Sequence, residues 1–342
     1  MNIQEKEKQV RTLLSKINFS ELWPDFNMFR FALYNEHEVC LEGRTFPRTN
    51  QFYANTSILY NDEYIAIWQI TDDADMEILA SKLAHEMFHA FQMKNHEARF
   101  PNELEAVINY HYDPYSFSIK MLENELILEL IDNFSLEKYQ YLLSLRKKRL
   151  CEFSYEYNYE AAIEQIEGTA NYIELVVLKV LSLSKYEQKL SEIKESITSI
   201  NHLFPIRIIS YDIGALLIKV IIDNHQEFDF TFSDVPFAVK IIENSQRCND
   251  PISTISTIST TISTFYENTK KIINDALKND QWVLSGDYEL LGINVYDARY
   301  YNNYLVSTYF VMYKDNDLEK VLEGDFVIEL NEQKRIKKIW KI

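Results

Sequence analysis

The sequence predicts an α+β protein: a small N-terminal antiparallel sheet packed on a mainly helical domain, followed by a C-terminal antiparallel β-meander. Three observations lead there. Residues 29–70 carry short runs of aromatic and β-branched side chains separated by polar pairs. Residues 73–249 repeat their apolar side chains at helical spacing. Beyond residue 280 the β texture returns, punctuated by Asn and Asp. At 342 residues the chain has room for about two domains. The expected boundaries are 1–249 for the main domain, 250–280 for a linker helix and 281–342 for the meander.

Residues 4–18 read as an amphipathic helix. RFALY, EVCLE, TSILY and YIAIWQI then form the sheet region (25–70), and Asn61-Asp62 between the last two runs suggests a hairpin. Thr71-Asp72-Asp73 offers helix caps, and Asp73, Asp75 and Glu77 favour a helix start. The helix expected over 73–95 has Leu79, Leu83, Met87, Ala90 and Phe91 as its apolar stripe. From Pro101 to 249 helices are expected at 115–132, 136–152, 155–183, 186–200, 206–224 and 234–246, with Pro114, Pro205 and Pro236 near three starts. The pair 115–132 and 136–152 reads as a hairpin flanking a cleft, and Arg146–Arg149 as a short basic helix face offset by acidic surroundings. In the repetitive run PISTISTISTTISTF, Ile252, Ile255, Ile258, Ile262 and Phe265 step by three or four, a helical stripe. This predicts one helix over 251–278, capped by Asp250 and opened by Pro251, with a flexible Ser/Thr-rich linker as the alternative. Strands are expected at 288–300, 304–313, 318–330 and 335–342, a four-stranded meander. Arg335–Lys341 reads as the solvated face of its edge strand, and Trp68, Trp282 and Trp340 as core or interface anchors.

Composition narrows the function. With 35 Lys and Arg against 52 Asp and Glu, the net charge is −17. That opposes sequence-independent nucleic-acid binding and docking on an anionic membrane. Three cysteines, Cys40, Cys151 and Cys248, without a CxxC pair, fit a reducing compartment. The N-terminus has no signal-peptide pattern, and no segment reaches the roughly 18 apolar residues of a membrane span. A cytoplasmic protein is therefore expected. The oligomeric state is not indicated.

The chemistry centres on His85-Glu86-Met87-Phe88-His89. This is His-Glu-x-x-His within an expected helix. Its two imidazoles leave one face a turn apart and can grip one metal ion. Glu86 lies beside that face, where it can take a proton from a water. The bland alternative is two packed histidines and an incidental acid, but unpaired imidazoles on a buried face are costly. An open site of this kind expects a third protein ligand. Asn95 stands ten residues after His85, where a histidine ligand would be needed, and His96 reads as a surface residue at a helix end. A better source is Glu164-Gln165-Ile166-Glu167-Gly168-Thr169-Ala170-Asn171-Tyr172-Ile173-Glu174. The chain has only 6 glycines, and Gly168 interrupts a strong helical pattern directly after Glu167. It permits a close helix crossing. Such a crossing without chemistry is the alternative there.

His85–His89 followed by EGTANYIE resembles the gluzincin zinc metallopeptidases, whose alanyl aminopeptidase and leukotriene hydrolase branch carries a similar Glu-Gly-x-Ala-x-Tyr-x-Glu pattern on a second helix. The resemblance implies a zincin-like catalytic domain in which His85, His89 and Glu167 bind one zinc ion and Glu86 is the catalytic base. It implies that Glu174 orients a ligand histidine. Ser210-Tyr211-Asp212-Ile213-Gly214-Ala215-Leu216-Leu217 is similar to the helix start of glycyl-type aminopeptidases, which implies an oxyanion-stabilising role for Tyr211. A tyrosine packed at a helix start is the plain alternative. Arg207 would assist by charge or cap a carboxylate. The chain departs from the family in two ways. His89 and Glu167 have 77 residues between them, and Phe52–Ser57 stands where the family's Gly-x-Met-Glu-Asn strand is expected, without its glutamate.

The expected function is thus a zinc peptidase acting on peptides, with substrate pairing along Ser57–Tyr60. The alternatives are an inactive zincin-fold binding or scaffold protein, its zinc lost or closed off by His96 or His111, and hydrolysis of a non-peptide amide or ester. Endo- or exopeptidase action is not fixed by these residues.

Overall fold

The computed structural model describes residues 2–279 and 281–342. Residues 1 and 280, at the edges of the expected domains, lie outside the described residues. The fold is α+β: a mixed five-stranded sheet, a central helical region and a seven-stranded antiparallel sheet.

Helix α1 (Ile3–Leu14) opens with an Asn2/Glu5 capping box, and a one-turn α2 (Phe19–Leu22) comes next. The first sheet holds β1 (Phe31–Tyr34), β2 (Glu38–Leu41), β3 (Arg44–Pro47), β4 (Thr56–Tyr60) and β5 (Glu63–Gln69), in the order β3-β2-β1-β5-β4. The Asn61-Asp62 hairpin is present, both residues at positive φ as a tight β-turn between twisted strands needs. The sheet is not wholly antiparallel, however, because β5 runs parallel to β1. After β3 the chain crosses over and lays the β4–β5 hairpin on the far side of β1. That buries β1 and the middle of β5 at the sheet centre, where a parallel pair is at home, and leaves β4 as a free edge.

Helix α3 (Met76–Lys94) packs beneath this sheet, capped by the Asp75 carboxylate. Then come α4 (Glu103–Asn109), α5 (Pro114–Asp132), α6 (Leu136–Glu152) and α7 (Ser154–Ile163). A π-turn (Glu164–Gly168), α8 (Thr169–Leu181), α9 (Leu183–Thr198) and α10 (Ile206–Asp223) continue the region. The expected helix 155–183 is present as one rod from α7 to α8, widened at the π-turn. The helix expected at 234–246 shrinks to a single turn, α11 (Phe237–Lys240), because the polar stretch after Ile242 has no apolar stripe to bury. Helix α12 (Ser256–Asn279) starts later than Pro251 but keeps the periodic stripe, burying Ile258, Ile262 and Ile273. Among the described residues, no helix is long and apolar enough to cross a membrane.

The acidic groups that offset Arg146 and Arg149 lie inside the fold. Both arginines are fully buried, with Lys120, Glu123, Glu160 and Glu164. The three cations and three anions pair: Arg146 with Glu164, Arg149 with Glu160 and with Glu123 at 3.2 Å, and Lys120 with Glu160. Neutrality within the cluster makes burial tolerable, since an isolated buried charge costs several kcal/mol. Through Glu164 the cluster anchors the first residue of the π-turn.

The C-terminal sheet comprises β6 (Trp282–Ile293), β7 (Arg299–Tyr301), β8 (Tyr304–Ser307), β9 (Phe310–Asp315), β10 (Leu318–Glu323), β11 (Phe326–Leu330) and β12 (Ile336–Lys341), ordered β10-β9-β6-β12-β11-β8-β7. The expected four-stranded meander is therefore corrected. The run 304–313 breaks at Tyr309 and the run 318–330 at Gly324, both at positive φ, and the long β6 sits centrally between β9 and β12. Strand β12 is accordingly an inner strand, not an edge, with Ile336, Ile339 and Trp340 buried. Trp340 is an anchor as expected, whereas Trp282 is half exposed. Leu104, Val107 and Ile108 of α4 pack against one sheet cluster, and Ile272 and Leu277 of α12 against another.

Candidate metal centre

Helix α3 carries His85, Glu86 and His89 out from under the sheet. Burial of Leu79, Leu83, Met87 and Phe91 on its core face turns the two imidazoles toward the rod formed by α7, the π-turn and α8. The Nε2 atoms of His85 and His89 are 3.0 Å apart, with ring planes at 82°. Glu167 Oε2 lies 3.7 Å from His85 Nε2 and 3.3 Å from His89 Nε2. These three residues form the one group among the described residues whose ligand atoms can hold a metal ion. His96 and His111 are exposed and outside it.

The π-turn delivers Glu167. A π-turn inserts a residue into the helix, rotates the turns beyond it and frees a carbonyl, and such turns gather at functional sites. Here the Ile166 carbonyl accepts from Gln92 Nε2 at 3.0 Å. Gly168 meets Gly214 of α10 backbone to backbone: a Cβ on Gly168 would sit 2.7 Å from Gly214 Cα, and one on Gly214 would sit 2.9 Å from Glu164 Cα. The crossing expected from Gly168 is thus present, and its partner is the glycine of the Tyr211 motif. Gly168→Ala should force the rods apart, costing about 1–3 kcal/mol and weakening metal binding through the adjacent Glu167. Denaturant unfolding and zinc titration check this; a variant matching the native chain in both would contradict the packing.

A hydrogen-bond chain fixes the His89 tautomer. Thr169 Oγ1 donates to the Gln165 carbonyl at 2.6 Å, so it accepts from Gln92 Nε2 at 3.0 Å. The Gln92 amide oxygen then faces His89 Nδ1 at 2.7 Å and must accept from it. In the neutral ring the proton is held on Nδ1, which frees the Nε2 lone pair for a metal. His85 Nδ1 is buried without a hydrogen bond, and Glu174 Oε2 is the carboxylate oxygen beside it at 3.5 Å. Glu174 stands where it can orient His85.

Two lone pairs and a carboxylate aimed at one point repel unless a cation sits there. Without metal, a proton serves. Burial lowers the His89 pKa, but hydrogen bonding to Glu167 and its charge outweigh this and push it up to about 9. Burial also raises the Glu167 carboxyl, yet both imidazoles hold it far below the usual carboxylate range. Glu86 is 8% exposed. Desolvation pushes its carboxyl up and the charges of Glu167 and Glu174 add to this, against the two histidines.

The group opens into a cleft of about 340 Å³. Its walls are Asn55, Thr56 and Ser57 at the β4 edge, His85, Glu86, His89 and Met93 of α3, Phe100, Ile166 and Glu167, and Tyr211 and Tyr296. The Ser57 hydroxyl donates to the Glu86 carbonyl and ties β4 to α3. Helices α5 and α6 line none of it, so the expected flanking hairpin is a core element behind the rod. Arg207 donates to Glu167 Oε1 at 3.0 Å and to Glu103, which also accepts from Tyr159 Oη at 2.8 Å. Of the two roles open to Arg207, the structure places it as a cap on the Glu167 carboxylate. Burial and the Glu167 charge keep the Tyr211 phenol protonated, its pKa well above the usual range.

Sequence reasoning missed Gln92, Glu103 and Tyr296. Gln92, three residues after His89 and on a buried helix face, carried a signal in its spacing. Tyr296 carried none, since its approach depends on how the C-terminal sheet docks. No family model, curated protein or solved structure matches the chain.

Proposed function

We propose that the protein is a zinc-dependent peptidase of gluzincin type, with one zinc ion per chain and Glu86 as general base. What supports this most is the convergence of His85, His89 and Glu167 on one point of a cleft that Glu86 and Tyr211 also line. The donor set, two imidazoles and a carboxylate with the His89 tautomer set by Gln92, suits zinc and would leave a position open. A zinc ion held there supplies Lewis acidity and acidifies a water. Glu86, its carboxyl raised by burial, takes the proton of the attacking water and hands it to the leaving amine. The protonated Tyr211 hydroxyl donates to the oxyanion that develops at the scissile carbonyl. An extended peptide adds to the free edge of β4, whose first residues line the cleft.

A closed structural site is not favoured, because no fourth ligand joins the group among the described residues. The free cysteines accord with a cytoplasmic setting.

Metal removal tests the proposal. A chelator should abolish cleavage of a peptide library, and one equivalent of zinc should restore it. Zinc affinity should also depend on pH. Below a His89 pKa of about 9 zinc must displace a proton, so the association constant rises with pH up to that value and levels off above it. Isothermal titration between about pH 6 and 8 should show a gain of up to tenfold per pH unit; a flat profile would contradict the site.

A further inference from the structure

The C-terminal sheet reaches into the cleft through one side chain, and that side chain is placed as a hydrogen-bond donor. Tyr296 lies in the turn after β6, is 52% exposed and lines the cleft. Its hydroxyl is 3.4 Å from that of Tyr211. A well-formed O–H···O bond spans about 2.5–3.0 Å, so the direct contact between the two phenols is long and weak. They are near enough to grip one acceptor between them, since donors of an oxyanion site stand about 2.7–3.1 Å from the atom they bind.

The surroundings hold this arrangement. The Arg207 guanidinium lies over both rings, 5.2 Å from the Tyr211 centroid and 5.6 Å from that of Tyr296. Its Nη1 and Nη2 groups donate to Glu103 and Glu167, and the two tyrosines line the cleft where Arg207 does not. The Tyr296 amide donates to Asn294 Oδ1 at 3.2 Å, and Asn294 Nδ2 donates to Thr308 Oγ1 at 2.8 Å, so the turn is fixed to the sheet. The sheet is in turn packed on α4, which carries Glu103.

We propose that Tyr296 is a catalytic residue: with Tyr211 it forms a two-hydroxyl oxyanion site, and the C-terminal sheet thereby completes the active site. The inference rests on the peptidase reading. It assigns the sheet a part in the chemistry that no metal ligand requires.

Peptide hydrolysis by the full-length, zinc-loaded protein is compared for the native chain, Tyr211→Phe, Tyr296→Phe and the double variant. Tyr296→Phe should lower kcat roughly tenfold, less than the hundredfold or more of a buried oxyanion donor because Tyr296 is half in solvent. KM and zinc content should stay near native. The double variant should fall below Tyr211→Phe. Phenylalanine keeps the ring under Arg207, so a purely structural role would leave kcat unmoved. An unchanged kcat, a loss confined to KM, or a double variant no slower than Tyr211→Phe overturns the assignment. If the native chain is active and Glu86→Gln is not, such a result sinks this inference alone. A native chain that cleaves no peptide sinks the peptidase reading, and this inference with it.

Discussion

Glu86→Gln should keep one zinc per chain and lose peptide hydrolysis by roughly a hundred- to ten-thousandfold, the range a positioned general base supplies. Glutamine preserves the shape of the side chain and can still hold a water, but it cannot take a proton. The ligand set, His85, His89 and Glu167, is untouched. The variant should also be no less stable than the native chain. Burial raises the Glu86 carboxyl, and the charges of Glu167 and Glu174 add to it. A carboxyl whose folded pKa lies above its unfolded value penalises the folded state from the unfolded pKa upward, and in full above the folded one. Removing the charge lifts that penalty at neutral pH. Activity lost while the melting temperature holds or rises is the signature of a group kept for chemistry at the expense of stability. Hydrolysis at the native rate would refute the mechanism, and loss of zinc would show that Glu86 supports the ligands.

Arg149→Met should destabilise the fold by about 3–5 kcal/mol, because it leaves buried carboxylates short of a partner. Arg149 bridges Glu123 and Glu160, all three buried. Glu160 retains Lys120, but Glu123 is left with Arg146 at 3.8 Å alone. The damage should spread to the metal centre, since Arg146 is then shared between Glu123 and Glu164, the first residue of the π-turn that delivers Glu167. The double variant Arg149→Met/Glu123→Leu restores charge balance and should recover much of the loss. Chemical denaturation of the single and double variants reads both effects. A single-variant loss below about 1 kcal/mol, the range of exposed pairs, would contradict the buried network.

Much of this architecture was legible in the residues, and the exceptions share a cause. The α3 stripe, the Asn61-Asp62 turn, the 155–183 rod and the glycine crossing all arise from local spacing, and the structure has each of them. So does the grouping of His85, His89 and Glu167, which needed only that two helices carry matched short motifs. What was not legible depends on contacts distant in sequence. The parallel pairing of β1 with β5 arises because the β4–β5 hairpin is laid beyond β1, and no local pattern encodes that choice. The burial of Arg146 and Arg149 was not legible, because their neutralising partners lie on other helices, up to 26 residues away. The C-terminal runs were joined where Tyr309 and Gly324 break them, since one residue at positive φ leaves little compositional trace. Tyr296 became visible only once the second sheet was docked.

Side chains from two separate helices should hold one zinc ion with a position left open. Anomalous diffraction from crystals of the zinc-loaded protein, at energies on either side of the zinc edge, tests it directly. One peak per chain is expected, bonded to His85, His89 and Glu167 and to no other side chain. A peak elsewhere, a fourth protein ligand, or Glu167 turned away from both imidazoles would contradict it.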